Sequence, residues 1–451
     1  VQSKEQQEQR TNGPTSRKVL VITYYWPPSG GAGVQRMLKT VKYLRDFGWE
    51  PIVFTAQDAA YPVLDASLLH DVPAGQKVLY GPIWEPYELY KRFTGQNKKE
   101  RVYSGFMDAG ARPSLAQRLS VWLRGNLFIP DARALWIRPS VRLLNRWLRD
   151  NPVDAILSSG PPHSVHLIAR NLKRRHGIPW LADFRDPWTN IDFYDQLMLT
   201  GWADRRHKRL EQSVLREADA VDTVSWSWAE DFQRLGRPDV AVITNGFDTA
   251  DFPPTDAVAP DAAFAICHVG SLNKDRNSPA LWESLAELAR EDDNFRRDLR
   301  LRFIGKTEAA TFAQLDTLGL GDNVERVEYV PHAEVVAALG KARVLLLLTN
   351  DTPNVMGVVP GKLFEYLAAG RPILAIGAPD GDSARILRET GAGTLCGFQD
   401  RAAMKEALRT LYRAYQSGEP LQAGDPTAIQ GFTRRGGAGK IAGLLGRIAN
   451  E

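Results

Sequence analysis

Residues 344–377 read VLLLLTNDTPNVMGVVPGKLFEYLAAGRPILAIG. The apolar run at 344–348 and a second one at 373–376 have the length of strands buried on both faces. Between them Pro360 and Gly361 open a helix. Strand, helix, strand is the repeating unit of α/β folds with parallel sheets. The same alternation continues to both ends of the chain. Strand-like runs lie at 19–23, 52–54, 155–158, 180–183, 221–224 and 240–243, and again at 265–269, 301–304, 327–330, 344–348, 373–376 and 394–396. Two such sets, each spaced by helix-length segments, predict two doubly wound, Rossmann-like domains. The Pro-rich stretch DFPPTDAVAPD at 251–261 reads as the linker between them. The expected order is a polar tail at 1–16, a first domain at 17–250, the linker, a second domain at 262–424 and a basic, Gly-interrupted helix within 425–451 that packs back on the first domain.

Composition narrows the functional classes. With 451 residues, the chain exceeds what one hydrophobic core accommodates, and its 37 Gly and 28 Pro are too few for a low-complexity protein. Two cysteines, Cys267 and Cys396, build neither a disulfide framework nor a zinc site. A soluble, cytoplasmic protein is expected, because the tail is polar and the longest apolar run is far short of a membrane span. Net charge is +4, yet residues 83–150 hold 13 Lys and Arg against 6 Asp and Glu. Ten aromatics are interleaved there: Trp84, Tyr87, Tyr90, Phe93, Tyr103, Phe106, Trp122, Phe128, Trp136 and Trp147. Such an insertion suits an anionic membrane surface or a phosphorylated substrate. It equally describes amphipathic helices with aromatics inward and arginines outward. Nucleic-acid binding is excluded, because the basic residues are confined to one insertion and the whole is near neutral.

Five clusters carry chemistry. Trp26–Arg36 reads WPPSGGAGVQR, with Met37, Val41 and Leu44 recurring at helical spacing behind it. Gly30, Gly31 and Gly33 thus stand where a strand gives way to a helix, a place that favours anions. The pattern matches neither the dinucleotide fingerprint nor a P-loop. SSGPPHS at 158–164 occupies the same kind of turn, where His163 can bond substrate hydroxyls or handle a proton. Alternatively His163 only starts a helix that Ser164 caps; His166, one turn on, reads as core. DFRDPW at 183–188 offers Asp183, Arg185 and Asp186 as a polar edge at a strand's carboxyl end. An ion pair of Arg185 with Asp183 or Asp186 explains the same letters. In the opening stretch, Lys362 opposes the dipole of the helix it starts, which calls for a phosphate near Pro360 and Gly361. Glu365 is placed to accept from the two hydroxyls of a ribose, or else only complements the helix dipole. Finally, GSLNKDRN at 270–277, with Gly270 at its start, offers Lys274 and Arg276 for a diphosphate, although taken alone it reads as a solvated charged turn.

In order along the chain, YYWPPSGGAGVQR, SSGPPHS, LADFRDPW, ADAVDTVS, TNGFD, HVGSL, YVPH and PGKLFEYLAAGRPIL resemble the retaining GT-B glycosyltransferases of the group called family 4. The resemblance runs from residue 18 to about 445. It implies two Rossmann-like domains facing across a cleft, with the nucleotide on the second. The base would lie near Gly305, Lys306, Tyr329 and Val330, with Glu365 on the ribose. Arg276 with Lys274 or Lys362 would take the diphosphate, aided by Pro360 and Gly361. The loop at Gly30–Gly33 would approach diphosphate and acceptor, His163 would line the sugar pocket, and Arg36, Asp183, Arg185 and Asp186 would be the acceptor-side candidates. His163, Arg276 and Lys362 are the catalytic candidates.

The implied reaction is metal-independent hexosyl or N-acetylhexosaminyl transfer. Its donor is a nucleotide sugar, UDP-linked, and no cofactor is required. A glycan or lipid-linked hydroxyl accepts the sugar, in cell-surface polysaccharide synthesis at the inner face of the membrane. Two positions depart from the family: Gly357 stands where a glutamate often touches the donor sugar, and Ser271 where an arginine is common. A nucleotide-sugar 2-epimerase and an inactive nucleotide-binding scaffold are the alternatives.

Overall fold

The computed structural model describes residues 16–84, 115–191, 194–252, 258–328, 330–419 and 423–450. The chain divides into two compact units. The first comprises residues up to Val224, Trp228–Ile243 and Gly437–Glu451; the second comprises Ser225–Ser227 and Thr244–Gly436. The division therefore falls at Ile243 and not at 250, and the linker stretch belongs largely to the second unit. Asp261 shows why: its carboxylate pairs with Arg302 at 2.6 Å, and its carbonyl accepts from Arg343 at 2.7 Å.

The first unit holds a seven-stranded parallel sheet. Its strands are β1 (Arg17–Thr23), β2 (Trp49–Gln57), β3 (Val78–Pro82), β4 (Ala155–Gly160), β5 (Trp180–Phe184), β6 (Ala220–Thr223) and β7 (Val240–Val242). The spatial order is β3-β2-β1-β4-β5-β6-β7. The sequence predicts all but β3, whose VLYGP carries Gly81 and Pro82. Gly81 is required there, because a Cβ would stand 2.5 Å from the Phe54 ring. β1 and β4 are buried along most of their length, which explains their unbroken apolar character. The helix Ala32–Leu44 covers one face with Val34, Met37, Leu38, Val41 and Leu44. Ile441, Ala442, Leu445 and Ile448 of the helix Arg434–Ile448 join that same core.

The second unit holds a six-stranded parallel sheet of β8 (Phe264–Val269), β9 (Leu299–Ile304), β10 (Val324–Val327), β11 (Val344–Leu348), β12 (Ile373–Gly377) and β13 (Gly393–Gly397). Its order is β10-β9-β8-β11-β12-β13. β10 lies three residues earlier than the expected 327–330. Valines at 324, 327 and 330 fit either register, and pairing of Val327 with Ile304 selects the earlier one. In each sheet the strand order reverses once, between β1 and β4 and between β8 and β11. Ligands of open α/β sheets bind beyond strand ends at such points.

The basic insertion resolves into two behaviours. In the helix Ile137–Asp150 and the turn before it, Trp136, Leu144 and Leu148 are buried while Arg138, Arg142, Arg146 and Arg149 are exposed. Trp136 stacks on Phe54 at 5.5 Å. That helix is aromatics-in, arginines-out. The helix Leu115–Leu127 instead exposes Leu119, Trp122, Leu123 and Leu127 alongside Arg118 and Arg124. Tyr87, Tyr90, Phe93, Tyr103 and Phe106 lie outside the described residues. Among the described residues, no helix is long and apolar enough to cross a membrane.

Candidate functional site

In the second unit the site is built around the end of β8. Gly270 turns the chain at φ 99°, and Gly305, at φ 110°, passes so close that a Cβ on it would meet the Gly270 carbonyl oxygen at 3.1 Å. Both positions need glycine for conformation. The helix Gly361–Ala369 then grips Val269 twice. Lys362 Nζ donates to the Val269 carbonyl at 2.6 Å, and the Val269 amide donates to Tyr366 Oη at 3.1 Å. Tyr366 in turn donates to the Leu346 carbonyl on β11 at 3.3 Å. Residues four apart share a helix face, so one helix can clamp both backbone groups of one residue. No side chain caps this helix, and Gly361 faces open space.

Arg276 sits in the turn Lys274–Arg276. Its Nε donates to Asn350 Oδ1 at 2.7 Å, and its Nη1 reaches the Ser271 carbonyl at 3.2 Å. Ser271 thus receives a guanidinium from five residues on. Burial, and next the Arg276 charge, push the Lys362 amine down to about 7, against the opposing pull of Glu365. Burial also lowers Arg276. Two desolvated cations held within each other's field are stabilised by an anion between or beside them. Lys362 uses one of three N–H groups on Val269, which leaves donors for a phosphate. Lys274 and Lys306 are exposed, Val330 is half-buried, and Tyr329 lies outside the described residues. The structure therefore brings together Gly270, Gly305, Arg276, Lys362 and Glu365.

In the first unit the glycines divide by purpose. A Cβ on Gly30 would meet Asp65 and Val63 at 3.0 Å, and one on Gly33 would meet Arg185 Nη1 at 3.0 Å. Only Gly31, at φ 89°, opens a helix with nothing near its Cβ position. Arg36 and Asp183, expected at the acceptor edge, are buried and saturate each other. Arg36 pairs with Asp183 and Asp222, each at 2.8 Å, and donates to the Ile243 carbonyl at 2.8 Å. Ser159 Oγ donates to Asp183 at 2.5 Å. Beside Arg36, and with those bonds, the Asp183 carboxyl is held below its usual range. Burial and the Asp183 charge push Asp222 well above it. Arg185 does not pair with Asp183 either. It donates to the carbonyls of Gly33 and Pro161, tying the loop after β1 to the loop after β4. Asp186 is half-buried next to it.

His163 occupies the N-cap position of the helix Ser164–His176. Ser164 is not the cap: Asp131, from a distant segment, accepts from its amide and hydroxyl, each at 2.8 Å. The His163 ring lies parallel to Trp188 at 4.7 Å, and burial first, then His166 and Arg185, push its imidazole well below 6.5. His166 is core as expected, bonded to Ser158 at 2.9 Å and pushed to about 3. Sequence reasoning singled out none of Asp131, Asn350, Tyr366, Trp188 and Asp222. Trp188, Asp222 and Tyr366 stand inside the motifs quoted above, whereas the cap from Asp131 left no local signal.

Residues 30–246 match the glycosyl transferase 4-like domain family and residues 263–414 match glycosyl transferases group 1. No curated protein matches the chain. Among solved structures, sucrose-phosphate synthase from Thermosynechococcus elongatus is similar with TM-score 0.60 at 14% identity, covering 96% of this chain and 98% of that one. A glycosyltransferase from Rickettsia africae gives 0.59 at 11%, covering 96% and 98%. Anabaena HepE, solved with UDP-glucose, gives 0.51 at 14%, covering 96% and 97%. Identities this low speak for the fold alone, and the two family matches decide the rest. With the 4-like match spanning β2 to β7 of the seven-stranded sheet and the group 1 match spanning all six strands of the other, the chain belongs to the GT-B glycosyltransferases.

Proposed function

We propose that this enzyme transfers a hexosyl or N-acetylhexosaminyl group from a UDP-linked sugar to a hydroxyl of a glycan or lipid-linked acceptor in cell-surface polysaccharide synthesis. Configuration at the anomeric carbon is retained. One observation carries the reading: Arg276 and Lys362, both desolvated, converge beside the Gly270 turn with Glu365 one helical turn away. The cations take the diphosphate and Glu365 the ribose. In the transfer, the bond from the anomeric carbon to the acceptor oxygen forms as the bond to the diphosphate oxygen breaks. The acceptor proton passes to the departing phosphate on the same face. Negative charge grows on the diphosphate, and fixed cations lower that barrier without needing a metal ion. UDP is favoured by the family resemblance and by HepE, a protein of similar fold solved with UDP-glucose.

The exposed stripe Leu119, Trp122, Leu123 and Leu127, beside exposed Trp202 and Arg205, supports peripheral docking on an anionic membrane. Calorimetric titration with UDP, GDP, ADP and dTDP in EDTA tests the donor class. Saturable UDP binding is expected, and binding of none of the four overturns the reading. Product from an α-linked UDP-sugar must be α-linked; a β-product removes retention. Accumulation of a C2 epimer without acceptor would make the protein an epimerase.

A further inference from the structure

The loop after β5 does more than bound the sheet. Trp188 is buried and fastened at both ends: its indole Nε1 donates to His207 Nδ1 at 3.1 Å, and its amide points to Glu211 Oε1 at 3.3 Å. Glu211 is itself buried and accepts the Thr189 hydroxyl at 2.5 Å. Because His207 Nδ1 accepts, its proton resides on Nε2, which faces the Gly125 carbonyl at 3.4 Å. An indole held this way presents one fixed face, and the His163 ring lies on it with 1° between the planes.

His163 is correspondingly confined. Its Nδ1 is buried and has no partner, and the residue keeps only 7% exposure. The Nε2 edge, which bonds to nothing in the described structure, is therefore the edge that reaches outward. A Cβ on Gly160 would sit 3.3 Å from Nδ1 and 2.6 Å from His166 Nε2, so that glycine makes room for both rings. The charged and titratable groups facing His163 are Arg185, His166 and His207. With Arg185 near and the positive end of a helix beneath it, a bare lone pair on Nδ1 is favoured over an N–H, which puts the ring proton on Nε2.

We infer that Trp188 is a positioning residue, anchored by Glu211 and His207, which fixes the His163 ring so that Nε2–H donates a hydrogen bond to a sugar hydroxyl. This rests on the proposed transferase reading and on His163 lining its sugar pocket, as the family resemblance implies. Stacking limits the ring to in-plane rotation, and the buried Nδ1 edge limits that as well. His163 then serves as a neutral donor and not as a proton shuttle, in keeping with a transfer whose proton goes to the leaving phosphate.

The test is histidine-selective NMR on the full chain, with His163 assigned by its loss in H163N. In the wild type and Trp188→Phe, the His163 ring should stay in the Nε2–H tautomer, without titrating, from pH 5.5 to 8. Trp188→Phe keeps an aromatic face and the amide bond but loses the His207 bond, so it tests the stacking alone. In Trp188→Leu the ring should titrate near about 6.5 and mix tautomers. A wild-type ring that titrates in that range overturns the inference, whether or not Trp188→Leu folds. So does a folded Trp188→Leu whose ring behaves as in the wild type. Turnover separates this from the reading beneath it. Trp188→Leu should lose roughly 10- to 100-fold, the scale of a misplaced contact, and should add nothing to His163→Ala. Additive losses would show that Trp188 acts on its own. Should His163→Ala leave turnover unchanged, the sugar contact fails while the NMR result still decides the positioning.

Discussion

Lys362 carries two tasks with one amine. It donates to Val269 and, with Arg276, forms the cationic pair that the diphosphate would meet. Its folded value of about 7 lies below that of a free lysine, so the folded protein binds fewer protons than the unfolded chain across that interval. The penalty is therefore fully present below about 7 and fades as pH rises toward about 10.4. Lys362→Met should be more stable than the wild type at pH 6, and that gain should shrink at pH 9, as urea titration would show. Anion binding runs the other way, because only the ammonium form attracts phosphate. Affinity for UDP-glucose should fall as pH rises above 7, by at most about tenfold per unit. The slope should vanish in Lys362→Met; a slope that persists there assigns the titration elsewhere. At the helix turn beyond, Glu365→Ala should weaken UDP binding by about 1–3 kcal/mol, the scale of a lost charged hydrogen bond. Unchanged affinity by calorimetry would remove Glu365 from the site.

Between residue and fold stands the helix Gly361–Ala369, which acts on β8 as a clamp. Tyr366→Phe removes the acceptor of the Val269 amide and the donor to Leu346, both buried. The expected loss of stability is about 1–3 kcal/mol in urea unfolding, with UDP affinity reduced because Gly270 follows Val269 directly. Were Tyr366→Phe to leave both quantities unchanged, the clamp would be incidental. At this scale the sequence was most legible. Buried parallel strands are apolar throughout, and the helix that follows β11 begins at Pro360 and Gly361, so PGKLFEY announced both the element and its anion-facing end. It gave a weaker signal where identity depends on distant partners. Arg36 and Asp183 look like surface acceptor contacts in sequence, yet they meet across 147 positions in a buried network. The cap of the helix Ser164–His176 arrives from Asp131, and β3 is short and broken by Gly81 and Pro82. For Arg36, Asp183 and Asp131 the missing information was tertiary contact; for β3 it was a weak local pattern that pairing with β2 overrides.

Taken as a whole molecule, the chain spreads its surface chemistry unevenly. Net charge is only +4, so no global field draws the protein to anionic surfaces. Attraction must come from local combinations of cations and exposed apolar groups. The arginines of Ile137–Asp150 surround no exposed aromatic of their own helix, because Trp136 is buried and Trp147 partly so. On Leu115–Leu127 the apolar stripe itself faces water, while Gly125 and Asn126 dock the helix: Asn126 accepts from the Thr200 amide at 2.7 Å. That bond sets Trp202, 62% exposed, at the start of the helix Gly201–Glu217. Exposed leucines and tryptophans with arginines nearby are what an interface between headgroups and acyl chains accommodates. Vesicles containing one-third anionic lipid should therefore co-sediment the protein at low salt, and neutral vesicles much less. Replacing Trp122 and Leu127 by serine should abolish most of that binding while leaving UDP affinity intact, since the nucleotide residues belong to the other unit. Substituting Arg142 and Arg146 by glutamine should reduce binding only through charge, an effect that disappears as salt approaches 0.5 M on the scale set by screening, roughly 4 Å of reach. If the arginine substitutions abolish binding and the Trp122 and Leu127 substitutions do not, attraction is purely electrostatic and the apolar stripe serves some other contact.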